Sequence, residues 1–213
     1  MPPAPRRLAS DPDVDRLVVL YARTKRRVEA LLRQAIERGA TGTAAFRQQQ
    51  LLALDRAIRQ LAATSPELVE RAIRSSYLDG ATIVDAILNP DEPFVAGAEG
   101  RFFGAHEQAA AAITGQLDNR LIAARLTIGR QARDVFAKVV EQEVATGVVG
   151  GLTRREVSAR ISLELLQEGT TAFVDRAGRR WTLDTYSEVA ARTATREAVT
   201  VGTANRCLEL GHD

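Results

Sequence analysis

The sequence predicts a mainly α fold, an elongated assembly of several helices, some of them long and coiled-coil-like, with one small β-hairpin near residues 172–182. Three observations carry that expectation. Alanine, leucine and arginine dominate while aromatic residues make up only 5% of the chain, and the dominant types are good helix formers. Apolar residues recur at three- and four-residue intervals through stretches far longer than the Gly- and Pro-containing clusters between them. Ala172-Phe-Val174 and Arg180-Trp-Thr182, by contrast, are short runs of β-type residues on either side of a glycine-containing turn. At 213 residues the chain is long enough to bury a substantial core in one or two domains.

Taken in order, residues 1–9 are rich in proline and arginine and read as a flexible arm. Ser10 or Asp11 caps the first helix, Pro12 sits in its first turn, and Asp13 and Asp15 complement the helix dipole. Val14, Leu17, Val18, Tyr21, Val28, Leu31, Leu32 and Ala35 mark its inner face, and Gly39 ends it. Its outer face carries Arg23, Lys25, Arg26, Arg27 and Arg33, either a solvated surface or a contact for nucleic acid or an acidic partner. A second helix is expected over residues 43–63, with Phe46, Leu51, Leu54, Ile58 and Leu61 inward. Thr64-Ser-Pro-Glu67 reads as a stop and a restart, with Ser65 capping a third helix that reaches about Leu88. Residues 10–88 are thus expected to form an N-terminal helical hairpin unit of three elements.

Residues 89–104 contain Pro90, Pro93, Gly97 and Gly100 and are read as a hinge or loop. Residues 105–213 are expected to hold long helices, the hairpin and a C-terminal helix. The first of these starts near Ala105; Gly115 weakens it, yet Leu117, Leu121, Ala124, Ile128, Val135 and Val139 keep the helical spacing. Gly147-Val-Val-Gly-Gly151 ends it, and Thr153-Arg-Arg-Glu156 has the spacing of a capping box opening a further helix with Val157, Ile161, Leu165 and Leu166 inward. In the hairpin, Gly178 supplies the positive φ of a tight turn. Thr182 or Asp184 then caps the last helix, where Tyr186, Val189, Ala190, Ala194, Val201 and Leu208 suggest the buried stripe. Arg192, Arg196 and Arg206 fall elsewhere, and Gly211 is the stop.

Signals of catalysis are weak. His106 and His212 are the only histidines and Cys207 the only cysteine, so neither a metal site built from this chain nor an internal disulfide is expected, and no cofactor is predicted. His106-Glu107 is read as a surface dipeptide rather than an acid/base pair. The glycines at 147–151 lack a Gly-Lys-Ser/Thr signature and read as a linker. A net charge of +2 from nearly balanced signs does not establish nucleic-acid binding. No apolar run approaches membrane-spanning length, and the N-terminus lacks the apolar core of a secretion signal; no membrane partner is expected. Arg176, Arg179 and Arg180 cluster at the hairpin, where they suit acidic side chains, DNA phosphates or simply solvent. Glu188 and Arg192, four apart, are expected to form an ion pair.

One pattern is individual. Asp175-x-x-Gly178-Arg-x-Trp181, then Tyr186, Ala191-Arg192-Thr193-x-x-Arg196 and Leu208-x-x-Gly211-x-Asp213 together resemble the phage minor capsid protein 2 family, relatives of the Mu F-like head morphogenesis proteins of tailed bacteriophages. The resemblance implies a non-enzymatic minor head protein of a phage or prophage, associated with the portal vertex during procapsid assembly and with DNA packaging or ejection. It implies the portal protein as partner, major capsid or scaffolding proteins and packaged double-stranded DNA beside it, and an oligomer on the portal ring. The expected location is the virion, inside the head at the portal vertex, after assembly in the host cytoplasm. On bottom-up grounds Trp181 packs the hairpin against a helix, so the motif is expected to be scaffolding. Two other readings are a docking or delivery module for a toxin or enzyme carried behind it, and a free helical DNA-binding protein. Larger family members continue past the counterpart of Leu208-x-x-Gly211-x-Asp213 into a region with Cys and His motifs, and no activity of that region is carried over.

Overall fold

The structure is a computed structural model that describes residues 12–38, 43–89, 91, 104–148, 172–175 and 177–212. Among them are four helices, α1 (Pro12–Arg38), α2 (Ala44–Leu88), α3 (Gly104–Val148) and α4 (Leu183–Glu209), and two strands, β1 (Ala172–Val174) and β2 (Arg180–Thr182). The mainly α expectation with one hairpin holds. The expected arm at 1–9, nearly all of the loop at 89–104 and the capping-box helix after Thr153 lie outside the described residues.

α1 begins at Pro12 with Asp13 and Asp15 in its first turn, as the local chemistry requires. Its inner face is close to the expected one: Leu17, Tyr21 and Val28 are fully buried. α2 departs from expectation. Thr43 Oγ1 accepts the Phe46 N–H at 3.2 Å and so caps the start, but the helix then runs 45 residues through Pro66 without the stop and restart expected at residues 64–67. Pro66 has no N–H to bond the Ala62 carbonyl and its ring crowds that carbonyl, a penalty of about 3 kcal/mol. Burial on both sides offsets it: Leu54 and Leu61 before the proline, and Val69, Ala72 and Ile73 after it, are all fully buried. Ser65, expected as a cap, is buried inside the helix. Leu51, expected inward, is 38% exposed.

α3 is one 45-residue helix. Gly115 does not interrupt it, because a helical glycine weakens a helix without clashing. Ala110, Ile113, Leu117, Leu121, Ala124, Ile128, Ala132 and Phe136 are buried along it, the three-four spacing continued over seven turns' worth of contacts with other elements. Val139 has no described side-chain environment.

The chain gathers into two compact units that do not follow chain order. The first comprises Met1–Val19, Thr64–Leu121 and Ser187–Asp213; the second comprises Leu20–Ala63 and Ile122–Tyr186. Each of the four helices contributes a stretch to both. In the second unit Val28, Leu31, Leu32 and Ala35 of α1, Leu54 of α2, and Ala132 and Phe136 of α3 make one apolar core.

In the first unit α2 and α4 meet backbone to backbone. A Cβ added at Gly80 would lie 2.1 Å from the Val199 carbonyl oxygen, and one at Gly202 would lie 2.3 Å from that of Tyr77. Thr203 Oγ1 sits at the same crossing, 3.1 Å from the Gly80 carbonyl oxygen and 2.9 Å from that of Val199. This approach explains a correction to α4. Its buried stripe is Ala190, Ala191, Ala194, Ala198 and Gly202, whereas Val189 and Leu208, expected inward, are 45% and 60% exposed. Close packing selects small residues, while a reading by apolar bulk picks the large ones.

Candidate functional site

The hairpin carries the individual sequence pattern, and its geometry explains that pattern atom by atom. β1 and β2 pair antiparallel, with Phe173 opposite Trp181. Gly178 takes φ 78°, which its lack of a side chain permits. Asp175 organises the turn with a carboxylate that accepts four hydrogen bonds. Oδ1 accepts the backbone N–H groups of Ala177 and Arg179, both at 2.9 Å; Oδ2 accepts Arg179 Nε and Trp181 Nε1, also at 2.9 Å. These donors, the Arg179 backbone N–H first and the Trp181 indole next, lower the Asp175 pKa to about 2. The Trp181 ring meets Tyr186 edge-on at 5.9 Å, and the Arg179 guanidinium lies over it at 5.4 Å. Asp, Gly, Arg and Trp at this spacing are therefore one self-satisfied turn.

The hairpin leads straight into α4. Thr182, the residue before the helix, donates its hydroxyl to Asp184, and Asp184 also accepts Lys25 Nζ at 3.2 Å. Burial pushes the Asp184 pKa up, but the Thr182 hydroxyl and Lys25 outweigh it and hold the carboxyl below its ordinary value. Lys25 thus leaves the exposed basic cluster in which it was expected. At the far end Gly211 takes φ 76°, with its N–H on the Leu208 carbonyl at 3.0 Å and the His212 N–H on that of Cys207 at 2.9 Å. That is a Schellman cap, the expected stop.

Four arginines of the first unit each hold two carboxylates, one on their own helix and one on another. Arg71 pairs with Glu67 at 2.6 Å and Asp13 at 3.3 Å. Arg74 pairs with Glu70 at 3.0 Å and, through both terminal nitrogens, with Glu107 at 2.7 and 2.9 Å. Arg192 makes the expected pair with Glu188 at 3.0 Å and also approaches Asp15 at 4.0 Å. Arg206, expected off the buried stripe, is instead buried, with Nε 2.6 Å from Asp85 and NH1 2.7 Å from Glu209.

Arg206 belongs to a polar network that sequence reasoning missed. Asn205 Nδ2 donates to the Tyr77 hydroxyl at 2.7 Å, and that hydroxyl lies 3.0 Å from His106 Nδ1, whose Nε2 is 3.3 Å from Glu209. With its oxygen accepting from Asn205, Tyr77 gives its proton to Nδ1, which leaves Nε2 to donate to Glu209. His106 is therefore not a surface residue as expected: it is 9% exposed, while Tyr77 and Asp85 are 0% and 3% exposed. Burial raises the Tyr77 pKa, and the Arg206 hydrogen bond lowers that of Glu209. The network ties α2, α3 and α4 by polar contacts closed on one another. The only advance signal was the placing of Asn205-Arg206 on the last helix at the spacing of the small residues before it.

The remaining sequence-predicted residues are more exposed. Arg23, Arg26, Arg27 and Arg33 project from α1, Arg180 is exposed on β2, and Arg176 lies outside the described residues. Thr193 and Arg196 are exposed on α4, Thr193 Oγ1 bonding the Val189 carbonyl at 2.7 Å. Among the described residues no group of three or more His, Cys, Asp or Glu could hold a metal ion, and no helix is long and apolar enough to cross a membrane.

No curated protein and no solved structure matches the chain. A family model described as phage minor capsid protein 2 does, over residues 14–213. That span takes in the hairpin turn built on Asp175, the double-carboxylate arginines from Arg71 to Arg206 and the Gly211 cap, and by it the chain belongs to the phage minor capsid protein 2 family, a family of phage structural proteins.

Proposed function

We propose that this protein binds the portal vertex during procapsid assembly in the host cytoplasm, stays inside the head at that vertex, and assists DNA packaging and ejection without catalysing a reaction. The observation that carries the reading is the family match over residues 14–213, which makes other phage head proteins its natural partners. The surface supports it. α2 presents Ile83 and Ile87, 46% and 73% exposed, and α3 presents Ile122 and Leu126, 37% and 59% exposed. Each pair is four residues apart and so shares a helix face, the form of anchor by which one helix docks on another.

The test is co-purification with the portal protein of the same phage, at low and at high salt. Stoichiometric association at both supports an apolar helical interface, because salt screens charges and leaves apolar contact intact. Loss at high salt alone rejects the apolar interface in favour of the exposed arginines, and absence of association at either salt overturns the portal reading.

A further inference from the structure

The two units divide the charge of the chain unevenly. Over the residues of the second unit the sequence places 19 Lys and Arg against 11 Asp and Glu, a formal charge of +8; over those of the first, 10 against 16, a charge of −6. The imbalance has a structural counterpart in where the arginines are spent. In the first unit Arg71, Arg74, Arg192 and Arg206 are each shared between two carboxylates. In the second, Arg23, Arg26, Arg27 and Arg33 are exposed and have no carboxylate within ion-pair distance among the described residues.

These four lie within eleven residues of one helix, about 15 Å at 1.5 Å rise per residue. Steps of three, four and seven keep them on one side, where Ala30 and Gln34 are the other exposed residues of that face. Their character selects the partner. Docking of a protein calls for an apolar or aromatic anchor in the middle of the patch, and here the middle is Ala30. Binding of single-stranded nucleic acid calls for aromatic platforms, and this face has none. A second copy would have to offer carboxylates, yet those of the first unit named above are already held by its own arginines. What remains is a regular polyanion recognised by charge: a duplex phosphate backbone.

We propose that the outer face of α1, through Arg23, Arg26, Arg27 and Arg33, binds duplex DNA without regard to sequence, while the acidic first unit is repelled and faces away from it. This rests on the head-protein reading above and names the surface through which DNA is met. Lys25 is excluded, since Asp184 holds it.

The experiment measures binding of the full chain to a short duplex of mixed sequence over a range of salt. Four phosphate contacts give a slope of log K against log salt of about −3.6, or roughly a 150-fold loss between 50 and 200 mM. Replacing all four arginines by alanine should bring the slope near zero, with helicity by circular dichroism unchanged. Replacing all four by lysine should keep the slope, because counterion release follows charge. The assignment is overturned if Arg56→Ala with Arg59→Ala on α2 flattens the slope as much, if single strands bind better than duplex, or if the wild-type chain binds no duplex at the lowest salt. Portal co-purification by the four-alanine variant keeps the readings apart: portal binding lost with DNA binding intact assigns the face to a protein and overturns this proposal. DNA binding lost with portal binding intact supports it, and failure of wild-type portal association leaves the DNA slope as an independent result that supports or overturns it.

Discussion

In the first unit each of Arg71, Arg74, Arg192 and Arg206 sits between two carboxylates on different helices, whereas in the second unit Arg23, Arg26, Arg27 and Arg33 stand outward from α1 without one. One residue type thus does two jobs, and its surroundings decide which. A guanidinium out of water must have its charge answered, so Arg206 and Asp85 hold each other; a guanidinium in water has its solvation and is available to a partner. The units also differ in how helices approach. α2 and α4 touch backbone to backbone at Gly80 and Gly202, while Gly129 in the second unit has room, a Cβ there lying 3.8 Å from Ile58 Cγ1.

The largest effect is expected at the buried pair. Arg206→Ala leaves Asp85 charged, 3% exposed and without its 2.6 Å partner, and should cost about 3–5 kcal/mol in urea unfolding. Arg27→Ala in the second unit should change stability by no more than about 0.5 kcal/mol. Equal costs for the two would erase the distinction between the units.

Glycine substitutions sharpen it next. Gly80→Ala or Gly202→Ala places a methyl inside a neighbouring backbone and should destabilise by about 1–3 kcal/mol, in spite of alanine's better helix propensity. Gly129→Ala meets only ordinary contact and should stabilise, by up to about 1 kcal/mol. A stabilised Gly80→Ala protein would show that the α2–α4 crossing is looser than described here.

The smallest effects belong to the hairpin. Trp181→Ala should lower the melting temperature through loss of the ring pair with Tyr186, worth about 1 kcal/mol. Unchanged stability with lost assembly would make the motif a contact surface instead of scaffolding. Trp181 is the only tryptophan, so its fluorescence reports the hairpin alone. Asp175 has its pKa lowered from 3.8 to about 2 in the folded chain, so the stability it contributes is fully present above pH 4 and is lost as pH falls through about 2. A Trp181 transition tracking that fall, and absent in Asp175→Asn, is the expected result; the same transition in both proteins would assign it elsewhere.

Local chemistry was enough for some of this molecule. The start of α1 at Pro12, the turn at Gly178, the cap at Gly211 and the Glu188–Arg192 pair depend on residues no more than six positions apart, as the Asp175–Trp181 bond illustrates. A short segment carries such information entirely, and the same segment carries the family pattern. Tertiary packing decided what local rules misjudge. Pro66 stays helical because both flanks are buried, and α4 turns its alanines inward and Leu208 outward because Gly80 and Gly202 let two backbones meet. His106 and Arg206 are interior because their partners arrive from far along the chain, Glu209 across 103 residues and Asp85 across 121. A sequence displays which groups need a partner, but burial and charge compensation belong to pairs of elements, and only the folded chain brings the pairs together.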